Sequence, residues 1–100
     1  MSVDLVVKIG GSLLKHAEEF DRVLGVLADL GRARRLLIVP GGGPFADAVR
    51  EADRRFSAGD SAAHWMAILA MDQHAHLIAA RLRGAAIVTS AAGAAIKWAC

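Results

Sequence analysis

The 100-residue sequence has little of what marks secreted, metal-dependent or membrane-spanning proteins. Its one cysteine, Cys100, excludes an internal disulfide and gives no hint of a metal site. No long run of one charge occurs and the formal net charge is +2, so nucleic-acid binding has no support. No signal peptide is visible, and the longest nearly uncharged segment, 61–71, is too short to span a bilayer. These absences, with 55% hydrophobic residues, predict one small cytoplasmic α/β domain without a membrane partner.

The first chemical signal is an apolar run that ends in glycine. Residues 5–9 are rich in β-branched side chains and predict a strand buried on both faces. Lys8 inside such a strand is costly unless an anion meets it. Gly10 and Gly11 allow a close backbone approach, and Ser12 adds a hydroxyl. The run fits a phosphate cradle at a strand end, and equally a snorkelling lysine before a plain glycine turn.

A second copy of the same design favours the phosphate cradle. Residues 35–39 predict another buried strand, which Pro40-Gly41-Gly42-Gly43-Pro44 follows. Residues 45–56 have helical periodicity, and Pro44 suits the first position of that helix. A helix N-terminus behind a glycine loop is a ready anion site. Two such units predict two anionic groups held near each other, as phosphoryl transfer requires.

The remaining segments complete an alternating pattern. Residues 17–30 predict an amphipathic crossover helix that stops at Gly31, and Asp60 predicts the N-cap of a long apolar helix over 61–82. Residues 86–90 predict a third strand, and 91–100 the start of another helix. The order predicts a parallel sheet with helices on both faces. The apolar helix also suggests a homo-oligomer.

That helix carries several polar side chains. Asp72, His74 and His76 superficially resemble metal ligands, but only Asp72 and His76 share a helix face, so we expect no metal site. His64 taken alone is more typical of a satisfied core or interface histidine than of a ligand.

Three segments together resemble a known family. VVKIGGSLL, LLIVPGGGPFADAVREADRRF and DSAAHWMAILAMDQHAHLIA are similar to the amino-acid kinase superfamily, over about residues 3 to 90. The last two segments resemble the branch that includes 5-(aminomethyl)-3-furanmethanol phosphate kinase of methanofuran biosynthesis. The resemblance implies a carbamate-kinase-like fold, a three-layer αβα sandwich with a mostly parallel sheet. It also implies that residues 1–100 are the amino-terminal, acceptor-binding part, and that the carboxyl-terminal nucleotide-binding part is absent.

The resemblance further implies the chemistry. ATP with Mg²⁺ would donate a phosphoryl group to a small acceptor, such as the phosphomonoester 5-(aminomethyl)-3-furanmethanol phosphate. Lys8 would neutralise charge on the transferring group, as the catalytic residue. The nucleotide phosphates would be bound by Gly10, Gly11 and Ser12. The acceptor or transferred group would be held by Gly41, Gly42, Gly43, Pro44 and His64.

Three alternatives stay open from the sequence. A carboxylate kinase of the acetylglutamate or aspartate type has the same glycine loops and a different acceptor. A non-catalytic phosphate-binding fragment needs no second half. A dinucleotide binder is the weakest, because neither glycine loop matches G-x-G-x-x-G.

Overall fold

The computed structural model of this chain describes residues 3–89 and 95–99. A short 3₁₀ helix, Gly11–Lys15, follows the first strand. The helices and strands are, in chain order, β1 (Leu5–Ile9), α1 (Ala17–Ala33), β2 (Leu36–Pro40), α2 (Gly43–Phe56), α3 (Asp60–Arg81), β3 (Ala85–Thr89) and β4 (Ala95–Ala99).

The strands form one sheet in the order β1-β2-β4-β3. β1 and β2 are parallel, with Leu5 opposite Leu36 and Ile9 opposite Pro40. β4 runs antiparallel to both β2 and β3. The predicted α/β class and the parallel β1–β2 pair are therefore present. The prediction of a mostly parallel sheet holds for three of the four described strands, because β1, β2 and β3 run in the same direction and β4 runs against them. β4 occupies residues where the start of a helix was expected.

The hydrophobic core lies on one face of this sheet. Side chains alternate between the faces of a strand, so the register places Ile9 on the same face as Leu36 and Ile38. The same buried cluster contains residues of α1 and α3, so both helices pack on this face. Its members are Ile9, Phe20, Leu24, Leu27, Leu36, Ile38, Ile78 and Leu82. A second helical layer on the opposite face, which the three-layer prediction requires, stays a prediction.

β1 is less buried than its sequence suggested. Val6 is 62% exposed and Lys8 is also exposed, so the prediction of a strand buried on both faces is wrong. Alternate side chains of β1 point away from the core face. Because β1 lies at the sheet edge, these side chains have a neighbouring strand on one side only. β2 has a neighbour on each side, and its residues are buried or half-buried in strict alternation.

The helices differ from expectation mainly at their ends. α1 continues past Gly31 to Ala33, because Gly31 is buried in the helix and Arg34 forms the extended C-cap. α3 starts at Asp60 with Gly59 as its N-cap, so Asp60 is the first helical residue and not the cap. α3 is apolar around most of its circumference, yet Trp65 and Leu69 are more than half exposed.

Candidate phosphate-binding site

The two glycine segments lie side by side at one edge of the sheet. β1 and β2 are parallel, so both end at the same edge, and Gly10 and Gly41 follow their last residues. The backbone N–H of Gly41 donates a hydrogen bond to the carbonyl of Ile9, 2.8 Å from nitrogen to oxygen. This bond extends the β1–β2 pairing past the strand ends and holds the start of the second loop against the first.

Gly11 and Gly43 are in direct backbone contact. A Cβ on Gly11 would overlap the backbone N and Cα of Gly43, and a Cβ on Gly43 would lie 2.6 Å from the Gly11 carbonyl oxygen. Gly43 also has φ +55°, a left-handed conformation that side chains disfavour. Both positions therefore need glycine, and the sequence prediction that the two loops come together agrees with this contact.

The second loop leads directly into α2. Gly42 is its N-cap, and the Gly42 carbonyl accepts the first helical hydrogen bond from Ala46 N–H at 3.2 Å. A Cβ on Gly42 would overlap the Ala46 Cβ, so this position also tolerates only glycine. Pro44 is the second helical residue, one position later than predicted. Proline is still tolerated there, because the N–H groups of the first helical turn make no hydrogen bonds within the helix. The positive end of the α2 dipole thus faces the region where the loops meet.

Lys8 and Ser12 flank the first glycine segment. Lys8 pairs with Val39 in the register, one residue before each strand ends. Its side chain is exposed on the face opposite Ile9, and no ion pair to it occurs among the described residues. Ser12 lies in the first turn of the 3₁₀ helix with an exposed side chain. Both are free to meet a solvent-borne anion at this edge.

His64 occupies an exposed position near the start of α3. Its ring lies edge-on to the Trp65 ring, with centroids 5.6 Å apart. Within residues 3–89 and 95–99, no hydrogen bond links it to either glycine loop. Its predicted role toward an acceptor phosphate stays a prediction.

His74 makes a contact that the sequence did not predict. It is completely buried on α3, and its Nδ1 lies 2.6 Å from the Gly41 carbonyl oxygen. The available signal was its spacing, because Ala70 and Ile78, four residues before and after it, lie on the same buried stripe. A histidine on a core stripe must find a partner, and here that partner is the glycine loop.

Asp47, one turn into α2, is paired with a residue of its own helix. Its carboxylate lies 2.6 Å from the Arg50 guanidinium on the helix surface. Within residues 3–89 and 95–99, no group of three histidine, cysteine, aspartate or glutamate side chains is placed to hold a metal ion. None of the helices in the described ranges is long and apolar enough to cross a bilayer.

The loops fit phosphate groups better than they fit a bare metal ion. At Gly11 and Gly43 the two backbones are too close to leave room for side chains. The functional groups of the site are therefore peptide N–H groups, the α2 N-terminus and Lys8. Such donors suit phosphate oxygens. Mg²⁺ prefers oxygen ligands and commonly binds through the phosphates of a substrate, so no dedicated carboxylate set is required of this region.

Comparison with known proteins agrees with this geometry. Residues 5–96 match the sequence model of the Amino acid kinase family, so the chain belongs to the amino acid kinase family. It is also similar to [5-(aminomethyl)furan-3-yl]methyl phosphate kinase of Methanocaldococcus jannaschii, with 39% identity over 67 residues. That alignment covers 67% of this chain and 31% of the relative's length. No solved structure matches the chain.

Membership of this family supports a kinase function. The predicted resemblance to the amino-acid kinase superfamily and to its methanofuran branch is confirmed by these two matches.

Proposed function

We propose that this chain is the phosphate-binding part of an ATP-dependent small-molecule kinase whose acceptor is itself a phosphomonoester. The acceptor class is taken from the relative, whose name describes a phosphate kinase acting on an aminomethylfuran methyl phosphate. A product of such a transfer is a diphosphate. ATP would supply the phosphoryl group, and the residues of this chain would bind and orient the two phosphate-bearing molecules.

The contact between Gly11 and Gly43 is the observation that carries this proposal. It brings the loop after β1 and the start of α2 within van der Waals distance, so the backbone groups of both loops lie in one region. A transferring phosphoryl group passes between two oxygens that lie roughly in line, so donor and acceptor phosphates must be held close together. Two glycine loops in contact could hold the donor and acceptor phosphates side by side, whereas a single loop would hold only one phosphate.

Each residue then has a distinct electrostatic task. Lys8 would neutralise charge that develops on the transferring group, because a lysine acts as a mobile positive charge near phosphate. Backbone N–H groups after β1, with the Ser12 hydroxyl, would donate to the nucleotide phosphates. Gly42, Gly43 and the α2 N-terminus, with Pro44 fixing the first turn, would hold the acceptor phosphate. His64 would contact that acceptor at its outer end. No covalent intermediate is required, because positioning and charge stabilisation supply the catalysis.

A non-catalytic phosphate-binding role is the second candidate. It needs only the glycine loops and the α2 N-terminus, which can hold a phosphate without transferring it. A carboxylate kinase remains a third candidate, because the loops would serve a carboxylate acceptor equally well.

ADP formation tests the proposal. The purified chain is incubated with Mg-ATP and, separately, with a furanmethyl phosphate, acetylglutamate, aspartate or no acceptor. We expect acceptor-dependent ADP release with the phosphomonoester alone, and the same reaction with Lys8→Ala should lose most of its turnover. ADP release with acetylglutamate or aspartate would instead identify a carboxylate as the acceptor. ATP binding without turnover under any condition would support the binding role and contradict catalysis by this chain.

A further inference from the structure

The buried histidine on α3 has a defined tautomer. Nδ1 of His74 lies 2.6 Å from the Gly41 carbonyl oxygen, and a carbonyl can only accept a hydrogen bond. Nδ1 therefore carries the proton and donates it. Nε2 is buried and has no hydrogen-bond partner in residues 3–89 and 95–99, which fits a neutral ring whose second nitrogen bears a lone pair. The Phe20 ring lies nearby, with its centroid 6.4 Å from that of the His74 ring.

Gly41 is fixed from two sides. Its N–H donates to the Ile9 carbonyl at the end of β1, and its carbonyl accepts from His74 on α3. The two partners belong to different elements, so the Gly41 peptide groups bridge the sheet edge and the long helix. Gly41 itself is close-packed, because a Cβ there would lie 2.9 Å from the Gly11 backbone N.

The orientation of this carbonyl determines where the next N–H points. The chain has no cis peptide bond among the described residues, and in a trans peptide the C=O and N–H point in opposite directions. The Gly41 carbonyl is directed toward His74, so the Gly42 N–H is directed away from α3. No backbone hydrogen bond in the described ranges uses that N–H. It is therefore available to a ligand at the loop.

A peptide between two glycines has no intrinsic preference for this orientation. Glycine populates positive and negative φ almost equally, so the Gly41–Gly42 peptide is able to flip at little local cost. In the flipped orientation the carbonyl would point outward, where it would repel a phosphate. The buried histidine satisfies only one orientation, because its Nδ1–H needs a carbonyl and cannot pair with an N–H.

We propose that His74 is a positioning residue, which locks the Gly41–Gly42 peptide so that the Gly42 N–H faces the phosphate. This rests on the proposed phosphate-binding function, and it adds a residue on α3 that does not itself touch the ligand. It also explains why a histidine with one unsatisfied nitrogen occupies a stripe otherwise filled by alanine and isoleucine.

Two substitutions of His74 test its hydrogen-bond donor and its side-chain volume separately. His74→Asn keeps a donor nitrogen bonded to Cγ, at the same distance from the backbone as Nδ1, whereas His74→Leu keeps apolar bulk without a donor. Ile78→Val, one turn further along the same buried stripe, is the control for a change in helix packing. Each variant is checked for folding by circular dichroism and then titrated with inorganic pyrophosphate, with backbone amide NMR shifts as the readout.

We expect the wild-type imidazole ¹⁵N spectrum to show the Nδ1–H tautomer. His74→Leu should weaken pyrophosphate binding about tenfold, the effect of one well-placed hydrogen bond, while His74→Asn and Ile78→Val stay within about threefold of wild type. An Nε2–H tautomer, equal binding by His74→Leu, or an equal loss in Ile78→Val would overturn the proposal.

The carbonyl carbon shift of Gly41 distinguishes this proposal from the proposed function. If wild type binds no pyrophosphate, the phosphate site in this chain fails. The peptide lock is then judged in the free protein, where the Gly41 carbonyl shift should move in His74→Leu and be retained in His74→Asn. An unmoved shift in His74→Leu would overturn the lock as well.

Discussion

Gly11 and Gly43 meet backbone to backbone, although they are 32 positions apart in the sequence. The contact exists because β1 and β2 are parallel and end at one edge. It brings the loop after β1 against the first residue of α2. The candidate site is built from this one contact, so its predictions concern what happens when the contact is broken.

Replacing Gly11 by alanine should open the site. The added Cβ would overlap the Gly43 backbone, which has no flexible side chain to move aside, so we expect a loss of about 1–3 kcal/mol in the free energy of unfolding. Pyrophosphate binding should fall at least tenfold. Urea denaturation and an amide-shift titration measure the two effects.

Gly10→Ala is the matched control for that variant. No atom lies within 4 Å of a Cβ at Gly10, and its φ of −65° suits any residue. Its unfolding free energy should change by less than about 0.5 kcal/mol, with binding unchanged. Equal damage from the two neighbouring substitutions would argue against the specific contact.

A second pair separates backbone strain from loop contact. Gly43 and Gly59 both have positive φ, +55° and +92°, so alanine should cost each about 1–3 kcal/mol of stability. Gly43→Ala should also abolish pyrophosphate binding, since its Cβ would lie 2.6 Å from the Gly11 carbonyl oxygen. Gly59→Ala, which meets open space at the start of α3, should bind normally once folded. If both variants lost pyrophosphate affinity in proportion to their loss of stability, the Gly11–Gly43 contact would have no specific role in binding.

Lys8→Ala tests the charge at the site without disturbing the fold. The side chain is exposed on an edge strand, so stability should change by less than about 0.5 kcal/mol. Pyrophosphate affinity should fall by about ten- to a hundredfold, the range for a charge-assisted hydrogen bond of about 1.5–3 kcal/mol.

The control removes the same charge at the other end of the sheet. Arg34 is exposed two residues before β2 begins, whereas Lys8 lies near the strand ends that carry the glycines. Arg34→Ala should leave binding within about twofold. An equal loss from both substitutions would mean that general electrostatic attraction, and not a local contact, governs binding.

The sequence predicts the local units of this fold well, because each is set by near neighbours. Apolar runs that end in glycine predict β1 and β2, and the parallel pairing then brings Gly11 and Gly43 together. The exposure of Lys8 was not predictable in the same way. Burial of a strand depends on which strands flank it, and β1 lies at the edge.

Long-range relationships account for the other differences. The partner of His74 is a backbone carbonyl 33 residues earlier, and a carbonyl leaves no mark in a sequence. Helical spacing shows that residue 74 lies on the buried stripe but not what it meets. In the same way, the direction of β4 follows from its pairing with β2 and β3, while its alanine-rich sequence suggested a helix.

The proposed function requires the two glycine loops to form a single phosphate site. The most direct measurement is an NMR titration of the ¹⁵N-labelled chain with inorganic pyrophosphate, whose two phosphate groups can engage both loops, and it follows every backbone amide. We expect the amides of Gly11, Gly42 and Gly43 to shift together with one dissociation constant. Shifts confined to one loop, or centred on the basic segment 32–35 at the opposite end of β2, would contradict it.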